Sequence, residues 1–223
     1  MAQTHGAGSF LSAVRRVWEA VLSIVFPHTG YARTIRSMSD TELFSMLRVE
    51  NVGGVTTLFS YKNELVRHMV WLLKYKGDRH ATKLFAGALH DYLLEELSDL
   101  ELFDGKRSVV ILPLPLSKRR ERERGFNQMK LVADELHLKS GLRVEAGVLI
   151  KTRHTKPQTE LKRKEERKRN VEGVFAVENR ETLKGAHIIL IDDVITTGST
   201  MSEAKKTLRE AGVKDILCIA LTH

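Results

Sequence analysis

Ile188-Ile189-Leu190-Ile191-Asp192-Asp193-Val194-Ile195-Thr196-Thr197-Gly198-Ser199-Thr200 holds three features in a row: an unbroken apolar run, a pair of acids, and a small hydroxylated turn. An apolar run this short, without polar alternation, fits a strand covered on both faces, as in a parallel sheet. The acids directly after it stand at the strand's carboxyl end, where open α/β sheets bind ligands. The turn leads into a helix. Met201, Ala204, Leu208 and Ala211 give that helix a buried stripe, and Thr200 with Glu203 has capping-box spacing.

These residue types point to one chemistry. Amide N–H groups at a helix start have no intrahelical partner, and the helix dipole there favours an anion. Gly198 permits backbone geometry and close approach that other residues resist. The hydroxyls of Thr196, Thr197, Ser199 and Thr200 add donors without bulk. The turn therefore reads as a phosphate cradle. Asp192 and Asp193 are acceptors, suited to sugar hydroxyls or to a hydrated magnesium ion. Together the parts describe a ribose 5-phosphate pocket. The Gly-Lys-Ser/Thr ending of a P-loop is missing, and there is no dinucleotide fingerprint.

Outward from this stretch, strand and helix alternate. Val109 to Leu112 predicts a second covered strand, followed by a basic loop and a helix over 126–138, with Met129, Val132, Ala133 and Leu136 inward and Gly141 as its stop. Strands are expected over 144–150, 171–177 and 216–221, and helices over 64–75, 81–97 and, shorter, 38–47. That order argues for an α/β protein with a parallel sheet flanked by helices. Cys218 lies in the apolar 216–221 strand and reads as a packing residue. Trp18 and Trp71 read as helix packing too. The Phe10 to Phe26 stretch carries Arg15, Arg16 and Glu19, too short and too charged for a membrane span and a poor signal peptide, so an amphipathic helix is expected there.

The chain has 223 residues, 29% charged and 42% hydrophobic, which excludes global disorder. Its single cysteine excludes a disulfide framework and a multi-thiolate zinc site. The net charge of +8 is concentrated in two segments, Ser117 to Gly125 and Arg153 to Asn170, and the remainder is neutral. Such segments favour an anionic partner and leave room for a nucleic acid. Aromatics are only 6% and nowhere interleave with the basic runs, unlike single-strand stacking platforms. Absence of a signal, a span and disulfides places the expectation in the cytoplasm.

The 188–200 stretch resembles the phosphoribosyl pyrophosphate motif of type I phosphoribosyltransferases. Leu112-Pro113-Leu114-Pro115-Leu116, Arg124-Gly125-Phe126-Asn127-Gln128, Lys156-Pro157-Gln158 to Leu161, Arg167 to Val171, Phe175, and upstream Leu58 to Tyr61 with Lys74-Tyr75-Lys76-Gly77-Asp78 resemble the ComF family. The resemblance covers about residues 58–223. It implies a type I phosphoribosyltransferase-like domain over 58–223 behind a helical N-terminal extension at 1–57. Many ComF-like proteins begin with a four-cysteine zinc module, whereas Phe26 to Gly30 here has no cysteine, so no zinc is expected.

The resemblance implies roles as well. Thr196 to Thr200 would bind the 5-phosphate. Asp192 and Asp193 would be the catalytic acids on the ribose hydroxyls and the magnesium ligands, directly or through water. Leu114, Pro115, Leu116 and Ser117 would meet the pyrophosphate, with Arg124 a second contact. The 153–170 segment, with Gln158 and Arg167, would be the flexible loop closing over the site. Lys74 and Lys76 would face it. No general base is evident, with His154 and His187 candidates by type only. The activity implied is phosphoribosyl transfer to an unidentified acceptor. The alternatives are a nucleotide sensor without turnover and a DNA-uptake protein. Acceptor and oligomeric state stay open.

Overall fold

The computed structural model describes residues 31–98, 108–155 and 163–223. The amphipathic segment expected at 10–26, Trp18 and Gln158 lie outside the described residues. The chain forms two compact units, residues 1–38 and 39–223. The described part of the first is helix α1 (Tyr31–Ser37), with Ile35 buried.

In the second unit, Ser39 caps α2 (Asp40–Phe44), and the Glu42 carboxylate accepts from the Ser39 amide at 2.7 Å, a complete capping box. Strands β1 (Glu50–Val52) and β2 (Val55–Phe59) form a hairpin through Gly53-Gly54, both with positive φ. Helices α3 (Glu64–Lys76) and α4 (Arg79–Ser98) follow. Then come β3 (Val109–Pro113), α5 (Lys118–Arg124), α6 (Gln128–Ser140), β4 (Arg143–Val144) and β5 (Leu149–Lys151). The chain ends with α7 (Lys164–Val171), β6 (Phe175–Val177), β7 (His187–Val194), α8 (Ser199–Glu210) and β8 (Ile216–Thr222).

Six strands form one sheet in the order β1-β2-β8-β7-β3-β4, parallel throughout except for the β1–β2 hairpin. β7 is interior, with Ile189 opposite Ile111 of β3 and Leu217 of β8. Ile188 and Leu190 join Val110, Leu112, Met201, Ala204, Leu208, Cys218 and Ala220 in one core cluster. Ile189 and Ile191, on the opposite face, are equally buried. Burial on both faces is why the run shows no alternation.

Several expectations need correction. β7 continues to Val194, so the acids lie within the strand rather than after it. The expected basic loop is helix α5. Ser117 caps it by accepting from the Arg120 amide, and Gly125 ends it in the left-handed conformation. The strand expected over 144–150 splits into β4, on the main sheet, and β5, which pairs antiparallel with β6. The 171–177 strand shrinks to β6 because α7 runs to Val171. A domain boundary at 57/58 would cut β2, which hydrogen-bonds β8, and the compact unit begins at Ser39. The Thr200–Glu203 capping box does not form. Gly198, in the left-handed conformation, is the N-cap and supplies no side chain, while Glu203 accepts from the Gly173 amide at 2.7 Å.

Gly77 ends α3 with φ 55°, and a Cβ there would stand 3.1 Å from the Phe126 ring. Left-handed backbone costs a non-glycine residue roughly 1 kcal/mol or more. Gly77→Ala is expected to lower stability by about 1–2 kcal/mol, read as a lower urea midpoint at unchanged slope.

Candidate functional site

The carboxyl ends of β3 and β7, the turn after β7, and the ends of α3, α5 and β5 contribute the site. The turn carries the strongest anion signature. Gly198 is buried with φ 70°, and the Thr197 and Ser199 hydroxyls lie 2.8 Å apart. Among the described residues, no backbone carbonyl takes the amides of Thr197, Gly198 or Ser199. A twelve-residue helix starts there, so those amides and the dipole sum at one spot. Thr196 is exposed, and Thr200 is half-buried in the first turn.

Neighbouring residues in a strand point to opposite faces, and this separates the two acids. Asp193 is 5% exposed. Its Oδ1 lies 3.1 Å from Lys74 Nζ, its Oδ2 accepts from Gln128 Nε2 at 2.6 Å, and its carbonyl accepts from the Thr222 hydroxyl at 3.1 Å. Asp192 is half-buried, and its Oδ1 accepts from the Asp193 amide at 2.8 Å. Burial and then the Asp193 charge raise the Asp192 carboxyl to about 7, against that hydrogen bond and the Lys74 and Lys151 charges. Burial works against the Lys74 ammonium, but the Asp193 charge and hydrogen bond, with Asp192 and Tyr61, win, and its net shift is upward.

Arg124 ends α5 and donates to the Gln128 side-chain oxygen. Its guanidinium lies 5.6 Å from the Tyr75 ring centre, cation-π distance. Burial lowers its pKa while Asp193 and Tyr75 oppose that. The Leu114–Ser117 loop divides in two. Leu114 is structural, its amide donating to the Ile191 carbonyl at 2.9 Å and its carbonyl accepting from Asn127 Nδ2 at 3.1 Å. Pro115 has no N–H to offer. The amides of Leu116 and Ser117 have no carbonyl partner among the described residues. Ser117 Oγ lies 3.0 Å from His154 Nδ1.

Lys151 is a site residue that the sequence reading missed. It ends β5, lies 5.6 Å over Phe175, and is lowered to about 8 by burial and then by Arg120, with Asp192 pulling upward. Gln128 belongs to the Arg124–Gln128 motif, which gives it no role of its own. Helical spacing puts it among the apolar positions of α6, where a buried amide needs partners, and that is the signal that could have found it. His154 is exposed, and desolvation with the Arg119 and Arg120 charges pushes it below the ordinary histidine value. His187 begins β7, five residues from Asp192, so roughly 17 Å of strand separates them and it is not at the site. Arg119 pairs with Glu123 at 2.7 Å and Arg122 donates to the Lys118 carbonyl. Lys76 lies over Trp71, which stacks on His68. Arg167 lies on α7, and Cys218 is buried in β8.

The fold and the turn define a class, the type I phosphoribosyltransferase-like proteins, and the phosphoribosyl transferase domain family matches residues 123–223. The chain belongs to the ComF family. It is 32% identical over 179 residues to competence protein ComFC of Streptococcus pneumoniae, covering 78% of this chain and 70% of that one. It is 31% identical over 156 residues to ComFC of Bacillus subtilis, covering 70% and 58%. It is also 33% identical over 114 residues to the DNA utilization protein YhgH of Escherichia coli K12, covering 50% and 49%. The match thus spans 58% of the Bacillus protein's length and about half of YhgH. No described helix is long and apolar enough to cross a membrane.

Proposed function

We propose that this protein binds phosphoribosyl pyrophosphate with magnesium and transfers the phosphoribosyl group to an acceptor, releasing pyrophosphate. The observation that carries the reading is the set of amides at Thr197, Gly198 and Ser199 that have no backbone-carbonyl partner among the described residues, beside Asp192 on the same strand–turn–helix unit. In this reading the amides and hydroxyls of 196–200 seat the 5-phosphate. Asp192 accepts from the ribose hydroxyls. The Leu116 and Ser117 amides, Arg124 and Lys151 surround the pyrophosphate. As the bond between the anomeric carbon and pyrophosphate breaks, negative charge grows on the leaving group, and these donors oppose it.

Among the described residues, no three His, Cys, Asp or Glu cluster tightly enough to enclose a metal. One half-buried and one committed carboxylate fit a magnesium ion held mainly by substrate oxygens and water, the usual mode for this cation. When bound, it would offset charge on the pyrophosphate. In this reading Asp192 would be the residue to touch it. The 153–170 segment, which carries Arg167 on α7, would in this reading close and exclude water from the activated sugar.

Isothermal titration with phosphoribosyl pyrophosphate and magnesium tests this. Micromolar binding is expected, and it should be lost when Ser199 and Thr200 are both changed to bulky Leu. No heat at millimolar ligand would sink the reading. Pyrophosphate release in the presence of a base library then separates a transferase from a sensor. A second reading, contact with a nucleic acid, draws on the basic α5 helix and on relatives named for competence and DNA utilization. It predicts single-strand binding with a steep salt dependence that weakens when Arg119 and Arg122 are removed.

A further inference from the structure

We propose that the two adjacent aspartates do different work: Asp192 alone accepts the ribose hydroxyls, while Asp193 is a positioning residue that orients Gln128, which aims Arg124 at the pyrophosphate. The inference rests on the reading above and divides its site into two independently testable halves.

Asp193 presents little to a ligand. Its side chain is 7% exposed, one oxygen is held by Lys74 and the other by Gln128. Asp192 lies on the other side of the strand, and its Oδ2 has no protein partner among the described residues. Among the described residues, then, the carboxylate with both oxygens engaged is Asp193, and the one with an oxygen left for a sugar hydroxyl is Asp192.

The Gln128 amide has a donor end and an acceptor end. Asp193 only accepts and Arg124 only donates, so the amide has one orientation, Nε2 to Asp193 and Oε1 to Arg124. Holding the donor end therefore fixes where the acceptor end pulls the guanidinium. Tyr75 limits the guanidinium on its face. Lys74, Asp193, Gln128 and Arg124 come from α3, β7, α6 and α5 in turn, so four elements meet in one polar chain. It ends on the element that begins at the Leu116–Ser117 amides. No residue in the chain except Arg124 needs to touch the ligand.

The test titrates the full chain separately with two probes, ribose 5-phosphate and magnesium pyrophosphate. Wild type is expected to bind both. Asp192→Asn should lose about tenfold or more for ribose 5-phosphate and little for pyrophosphate. Asp193→Asn and Gln128→Met should show the reverse, matching Arg124→Ala. Asp193→Asn weakening ribose 5-phosphate as Asp192→Asn does would overturn the proposal, as would unchanged pyrophosphate binding in Gln128→Met. A merely structural loss would weaken both probes together, and that outcome also counts against it. If Asp193→Asn does not fold by circular dichroism, Gln128→Met decides alone. Wild type binding neither probe would instead remove the functional reading itself.

Discussion

Asp192→Asn is expected to weaken phosphoribosyl pyrophosphate binding by about 10- to 150-fold while making the folded protein more stable at pH 8. The binding loss follows from replacing charge-assisted hydrogen bonds, each about 1.5–3 kcal/mol, with neutral ones. The stability gain follows from the carboxyl's position. Burial and the neighbouring Asp193 raise it to about 7, far above its ordinary 3.8. A carboxyl with a raised folded pKa binds its proton more tightly folded than unfolded, so its effect on stability worsens as pH rises from about 4 to about 7. At pH 8 the wild type carries that unfavourable charge in full, and the asparagine carries none. The expected gain is on the order of 1–3 kcal/mol at pH 8 and close to zero at pH 4, read from urea midpoints of both proteins at the two pH values. A variant less stable than wild type at pH 8 would show that the carboxylate is not strained. Gain of stability with loss of binding is the trade expected of a site held ready for a ligand.

Lys74→Met is expected to cost about 2–4 kcal/mol, because it leaves the buried Asp193 carboxylate without its ion partner. The side chain is 23% exposed, so some water reaches the pair and the figure lies below that of a fully buried one. Adding Asp193→Asn should return most of the loss, since a neutral amide needs no counter-charge. A double-mutant cycle with a coupling below about 0.5 kcal/mol would show the two groups to be independent. The pH dependence carries a sign as well. The Lys74 pKa is raised above 10.5, so its contribution is fully present below that value and is lost only as pH climbs through the raised one. Between pH 6 and 9 the cost of the substitution should therefore be flat in respect of Lys74 itself.

The sheet was legible because its central strands bury both faces. Ile188 to Ile191 and Val109 to Leu112 are short and wholly apolar, and the helices between them keep a 3.6-residue stripe. The β1–β2 hairpin was not legible. Glu50 to Asn51 is exposed, and only Val55 and residues 57–59 are well buried, so no period stands out. Helix α5 was missed because none of its seven residues is buried. Its evidence was the Ser117 cap and the Gly125 stop, a local signal hidden in a charge run. The expected capping box does not form: Thr200 and Glu203 have the spacing, but the N-cap position falls on Gly198, and Glu203 accepts from the Gly173 amide.

The hydroxylated turn, its glycine and the apolar strand before it depend on neighbours a few residues away, so the sequence alone determined that a glycine-containing hydroxylated turn joins a buried parallel strand to a helix. Which aspartate is held by protein partners is a different kind of fact. The groups that hold Asp193 come from α3 and from a position 65 residues away on α6, and no local pattern encodes their approach. Only the packing of helices on the sheet brings a lysine and an amide against one carboxylate and leaves its neighbour open. In a buried place, such partners decide what a charged group can do, because water is not there to do it instead.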